Sequence, residues 1–263
     1  MNVDVETAVK PLRKLYKELK DFPADPSAEQ VHELRTQARR LEAVVHTFSS
    51  DSDGEGQRLV KLMKPVRKAA GKVRDVDVFI AKLHQIKLHQ IEGDSAGAGL
   101  VRLTEHIAGR REKHLGRLHR AIARRGKQIR RSMRHYGHWL ESAEGVTSPA
   151  AAQTLAEELD NWPRLQAANL HEFRIRAKEL RYMLQLLPDV DPQRIEALGE
   201  VKDLSGEWHD WLELRELAEE ILDPAADQET LKQIGAVTRE KLRAGLAAAN
   251  RLRSPGRRLP RAA

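Results

Sequence analysis

Two histidines lead two matching stripes of cations. The first stretch reads Val31-His32-Glu33-Leu34-Arg35 and continues to Arg39, Arg40 and Leu41. The second reads Leu170-His171-Glu172-Phe173-Arg174 and continues to Lys178, Glu179 and Leu180. Arginine offers a planar fork of donors to phosphate oxygens, and lysine a compact charge. A neutral imidazole donates one hydrogen bond; a protonated one donates two and adds charge. Together these side chains recognise anions.

Other chemistries fit the spacing less well. A helix-borne metal pair needs histidine or carboxylate one turn on, but that place holds Arg35 or Arg174, with Arg39 or Lys178 a turn later. Cations repel a metal ion, so no metal is expected. A histidine acting as general base needs a nucleophile or an orienting carboxylate. Glu33 and Glu172 sit one residue on, pointing elsewhere around the helix. No catalytic residue and no cofactor are expected.

The elements that position these residues are helices. With a turn of ~100° per residue, Arg35 and Arg39 fall within about 60° of His32, while Leu34, Leu41, Val45 and Phe48 fall on the opposite side. His171, Arg174, Lys178 and Arg181 form the corresponding second stripe. Each helix has an apolar back and a cationic front. An ordinary solvated face is the bland alternative, and recurrence of His-x-x-Arg-x-x-x-(Arg/Lys) in both halves weighs against it.

A weaker repeat follows each stripe: VRKAAGKVRDVDV stands against VKDLSGEWHDWLE. It matches Arg67 with Lys202, Gly71 with Gly206, Arg74 with His209 and Asp75 with Asp210. A glycine on a cationic face either lets a ligand or a neighbouring helix approach the backbone or is simply tolerated there. One helix alone leaves both open.

Along the chain, residues 4–20 have helical apolar spacing, with Pro11 expected to kink or restart the helix. Ser27 and Gln30 make a capping pair for the first histidine helix, which ends near the loop at Asp51–Gly54. A helix over about Glu55–Leu88 is expected to bend or break at Pro65. After the linker Gly93–Gly99, a helix over Leu100–Leu140 reaches roughly 60 Å at 1.5 Å per residue, its glycines permitting curvature. Residues 141–153 read as a linker. The second half repeats the order, with helices over about Pro149–Trp162, up to Pro188, over Pro192–Ile221 and over Gln228–Leu252. The tail 254–263 reads as disordered and basic. No strand signal is present. The expected fold is all-α, with similar helical halves at about 4–140 and 154–252 within one domain.

The 263 residues carry a net charge of +7. The excess is uneven: Arg110 to Arg134 holds eleven Lys/Arg against the single acid Glu112. One sign of charge attracts polyanions, whether nucleic acid, polyphosphate or anionic lipid. Only 4% of residues are aromatic, with Trp139, Trp162, Trp208 and Trp211 scattered, so no platform for stacked bases is expected. No zinc-finger spacing, RRM-like strand motif or helix-turn-helix stands out. A ligand with phosphates and no bases fits that balance. There is no cysteine, no signal-peptide pattern at the N-terminus and no apolar run of membrane-spanning length, so a cytoplasmic protein is expected.

The twice-repeated histidine helix, each followed by a Gly-x-x-(Arg/His)-Asp segment, resembles the CHAD domain (conserved histidine α-helical domain) over roughly residues 5–250. The resemblance implies two four-helix bundles related by a pseudo-twofold axis, with a basic central groove or channel. It implies binding of inorganic polyphosphate, association with polyphosphate granules and no enzymatic activity. An added triphosphate-tunnel domain is not expected here. Carried over by motif position, the binding set is His32, Arg35, Arg39, Arg40, Arg67 and Arg74 from the first half. The second half supplies His171, Arg174, Lys178, Arg181, Lys202 and His209. The copies depart from each other where Glu42 matches Arg181, Glu179 matches Arg40 and His209 matches Arg74. Nucleic-acid binding is the alternative, and phosphohydrolase activity a more distant one. Histidine protonation is expected to firm binding at about pH 6 relative to about pH 8.

Overall fold

The computed structural model describes residues 5–48, 54–88, 96–142, 149–187 and 190–253. Among these it contains eight α-helices and no strand, so the fold is all-α. They are α1 (Val5–Lys20), α2 (Ala28–Phe48), α3 (Gly54–Leu88), α4 (Ala96–Ser142), α5 (Pro149–Asp160), α6 (Ala167–Leu184), α7 (Pro192–Ile221) and α8 (Gln228–Leu252). The expected loop at 51–53, the linker segments 93–95 and 143–148, and the tail 254–263 lie outside the described residues.

Both histidine helices open on matching side-chain caps. The Ser27 N–H donates to Gln30 Oε1 at 2.9 Å, and the Gln30 N–H donates back to Ser27 Oγ at 3.2 Å. The same role falls to Gln166 and Asn169, whose Oδ1 accepts from the Gln166 N–H at 3.0 Å. These bonds satisfy donors that the first turn leaves orphaned. His32 and His171 lie at the same offset from their caps, so the cap sets the register of each stripe.

Several helix limits differ from the sequence reading, among them the end of α6 at Leu184. Neither Pro11 nor Pro65 interrupts its helix: α1 and α3 run through both. Proline removes one helical hydrogen bond, but Ala8, Val9, Leu12 and Leu15 flank Pro11 at 4% exposure or less. Burial of that apolar face outweighs the lost bond. The long helix α4 also begins earlier, at Ala96 and not Leu100. Gly99 is tied into α4 by close packing, since a Cβ there would come 2.7 Å from Asp227 Oδ1 and Thr230 Oγ1.

The chain forms two compact units that do not follow the two halves of the repeat. The first comprises residues 1–74, 112–154 and 179–191; the second comprises 75–111, 155–178 and 192–263. Helices α3, α4, α5 and α6 each contribute to both. The apolar back of the first stripe fills a core, and Leu170, Phe173, Ala177 and Leu180 on the back of the second are buried as well. In the first unit, Leu34, Leu41, Val45 and Phe48 of α2 pack with Leu12, Leu15, Leu59, Val66 and Tyr136. In the second, Val76, Leu83, Leu103, Ile107, Trp211 and Ile234 form one cluster. Burial of such aliphatic side chains, ~1.5–3 kcal/mol each, is the main driving force.

Candidate anion-binding site

Each of the twelve residues singled out from sequence is half-buried in the structure. The cations of α4 contrast with them. Of the eleven between Arg110 and Arg134, eight are exposed and only Arg110, Arg111 and Arg130 are half-buried. A stripe lying merely in bulk water would resemble the second group.

In the first unit, α2, α3 and the end of α6 gather arginines. Arg39 Nη1 donates to Glu42 Oε2 at 3.0 Å, and Arg67 Nε lies 2.6 Å from Glu42 Oε1. Glu42, the acid that breaks the repeat, thus braces two guanidiniums on neighbouring helices. Burial lowers the Arg67 pKa, Glu42 opposes that, and Arg39 and Arg35 add to the lowering. The Arg67 side chain is 15% exposed. Arg35, Arg39, Arg40 and Arg181 all act on the hydroxyl of Tyr182, whose pKa burial raises and the four guanidiniums pull back down. The other departure has a partner too: Glu179 Oε1 lies 3.4 Å from His46 Nδ1. That hydrogen bond raises the His46 pKa, against a smaller opposing effect of burial. His32 and Arg74 are half-buried on α2 and α3 of the same unit.

In the second unit, α6 and α7 bring His171, Arg174, Lys202 and His209 together. The His171 and His209 rings have centroids 3.9 Å apart, tilted by 45°. Burial, then Arg174, lowers the His171 pKa. Burial, then His171 and Arg174, lowers that of His209 to about 4. In the unliganded protein both imidazoles are therefore neutral near pH 7. The expected gain from protonating His171 on going to pH 6 must first overcome this desolvation. Arg174 Nε donates to the Lys202 carbonyl at 3.4 Å, and Lys202 Nζ lies 2.8 Å from Asp203 Oδ1. Lys178 is half-buried on α6 of this unit.

The paired glycines now have a shared role. A Cβ on Gly71 would lie 3.6 Å from Arg35 Nη1, and one on Gly206 would lie 3.0 Å from Arg174 Nη2. In both copies the arginine of the histidine helix lies over the glycine of the next long helix. The open space there serves a guanidinium, which explains why the two weak repeats travel together.

Structural cations elsewhere are matched one to one, as burial demands. Lys82 Nζ, in a residue 3% exposed, lies 2.9 Å from Glu207 Oε2 and 5.1 Å from the Trp211 ring centroid. Arg194 reaches Asp160 at 3.3 Å, and Arg111 reaches Asp77 at 2.7 Å. The tryptophans are structural as well: Trp162, Trp208 and Trp211 are buried. Among the described residues, no group of three or more His, Asp or Glu side chains could hold a metal ion. Among the same residues, no helix is long and apolar enough to cross a membrane.

The sequence alone does not point to Tyr182 or His46 as members of the site; the one signal for Tyr182 is its position beside Arg181.

Fold and site define an all-α protein with two histidine-led cationic helices, each laid over a glycine of a following helix. The chain belongs to the CHAD domain family, whose profile matches residues 9–219. Its fold is that of PptA from Streptomyces chartreusis, at TM-score 0.63 and 17% identity, covering 95% of this chain and 99% of that one. It is also that of the CHAD domain from the plant Ricinus communis, at TM-score 0.63 and 19% identity, covering 95% and 90% respectively. No curated protein matches the chain.

Proposed function

We propose that this protein binds inorganic polyphosphate without chemically altering it, through the twelve half-buried residues named above. The observation that carries the reading is the half-buried pair Arg39 and Arg67 held on one carboxylate, Glu42, with Arg35, Arg40 and Arg181 in electrostatic reach of the neighbouring Tyr182. Like charges held this close repel, and an anion seated among them relieves that repulsion. Permanent guanidinium charge without stacking aromatics suits a chain of phosphates that has no bases. A long polyanion engages several cations at once and releases counterions, so affinity falls steeply with salt. Family membership supports the same reading, together with cytoplasmic location on polyphosphate granules.

A mobility-shift titration with long-chain polyphosphate tests it. Replacing Arg35 and Arg174 together by alanine lowers affinity by about tenfold or more at physiological salt, from two lost charge-assisted contacts of ~1.5–3 kcal/mol each before partial compensation. Far-UV circular dichroism of that variant stays unchanged. Unaltered binding in the folded double variant overturns the assignment.

One observation favours nucleic acid as a second reading. The exposed cations of α4 include Arg131 and Arg134, which line a shallow hollow with His135 and His138. Such a surface takes any phosphate backbone. If DNA or RNA displaces polyphosphate at equal phosphate concentration and matched salt, this second reading replaces the first.

A further inference from the structure

Between α1, α2 and the end of α6 lies a cavity of about 270 Å³ in the first unit. Lys10, Lys14 and Arg40 are among its lining residues, with Tyr182 and Gln37, and no carboxylate lines it among the described residues. Arg40 and Tyr182 belong also to the arginine cluster, so cavity and cluster are continuous. Gln37 is 0% exposed. Its Nε2 donates to Glu33 Oε1 at 2.5 Å, which fixes the amide orientation and leaves Oε1 without a hydrogen-bond partner. A buried acceptor left unmade costs ~1–3 kcal/mol. Gln37 is also one of the residues that line the cavity, which makes a donor seated there a candidate partner for this acceptor.

Cations with a neutral acceptor select a particular anion. An internal phosphate of a linear polyphosphate carries one charge and no hydroxyl. A terminal phosphate ionises a second time at a pKa of about 6, as a phosphomonoester does, and below that it bears a P–OH. At just under the ~300–1,000 Å³ of sites for drug-sized ligands, the cavity fits such a group and not a nucleotide.

We propose that this cavity is a terminal-phosphate subsite. Lys10, Lys14 and Arg40 balance the charge of the chain end, and Gln37 Oε1 accepts its P–OH hydrogen. The subsite rests on the polyphosphate reading above and gives the bound chain a fixed end. Glu18 is electrostatically coupled to two of these cations: burial first, then Glu33, raises its pKa to about 7, while Lys14 and Arg40 work to lower it.

Linear tripolyphosphate and cyclic trimetaphosphate separate chain ends from phosphate groups, because the ring has no end. By isothermal titration calorimetry, Lys10→Ala with Lys14→Ala weakens tripolyphosphate binding about tenfold and leaves trimetaphosphate within about twofold. Both lysines are exposed, so folding is retained. Gln37→Leu, of similar shape, weakens tripolyphosphate alone by about threefold. Arg35→Ala, outside the cavity lining, weakens both probes alike. Equal losses for the linear and cyclic probes in the lysine variant overturn the subsite, as does no loss. Failure of the wild-type protein to bind long-chain polyphosphate sinks the broader reading instead. The linear-to-cyclic ratio is read independently of it.

Discussion

The two copies of the arginine-over-glycine arrangement differ in what stands beside the arginine. In the first unit an acid is built in: Glu42 joins Arg39 to Arg67, and Arg35 has ordinary van der Waals room over Gly71. The second unit has instead a pair of close imidazoles held neutral by burial, with Glu213 Oε1 3.7 Å from His209 Nε2, and an arginine pressed tightly to Gly206. The arginines of the first copy therefore keep their charge across the physiological range, whereas the imidazoles of the second stay neutral there and gain charge only at acid pH or beside an anion. One motif has been tuned into a permanent cation cluster and a conditional one.

Removing the brace tests that contrast most severely. Glu42→Ala leaves Arg39 and half-buried Arg67 facing each other, and destabilises the protein by about 3 kcal/mol, the low end for breaking a buried pair. Polyphosphate restores part of the melting temperature, because its oxygens stand in for the carboxylate. A melting curve unchanged by the substitution breaks the comparison at its first term.

The next effect is on pH. The folded pKa of His209 lies below its unfolded value of 6.5, at about 4. The unfolded chain then binds more protons between those values, so stability is full above about pH 6.5 and falls as pH drops toward 4. The loss is on the order of 2 kcal/mol after allowance for partial solvent access. His209→Asn flattens that slope in urea titrations at a series of pH values. His46, whose pKa is raised, contributes in the opposite sense, its stabilisation fading as pH rises. An unaltered acid slope in His209→Asn removes the conditional character of the second copy.

The smallest effect separates the glycines. Gly71→Ala places a methyl group at ordinary contact distance, so helix propensity raises stability by up to about 1 kcal/mol. Gly206→Ala forces the Arg174 guanidinium aside, cancels that gain and weakens polyphosphate binding about threefold, a loss of ~0.6 kcal/mol. Thermal melts and titrations on the two variants check this together. Identical behaviour would make the copies equivalent.

Much of the site was legible because the information was local. Ser27 and Gln30 announce a cap within four residues, and the cap fixes which face carries His32. The weak second repeat was visible in Gly71 and Gly206, although its purpose was not. That purpose lies in Arg35 and Arg174, which come from another helix in each case. Tyr182 and Lys10 were missed for the same reason: their importance comes from where α1 and α6 lie against α2.

The sequence by itself determined the helices, their apolar and cationic faces and the duplication, since a period of 3.6 residues and a capping box are written in neighbouring residues. Tertiary structure alone decided that Glu42 reaches Arg67, that the glycines admit guanidiniums and that most α4 cations stay exposed while those of α2 and α6 are half-buried. Periodicity orients a side chain about its own helix axis. Which neighbour it meets, and how much water it loses, is set by packing between segments far apart in the chain.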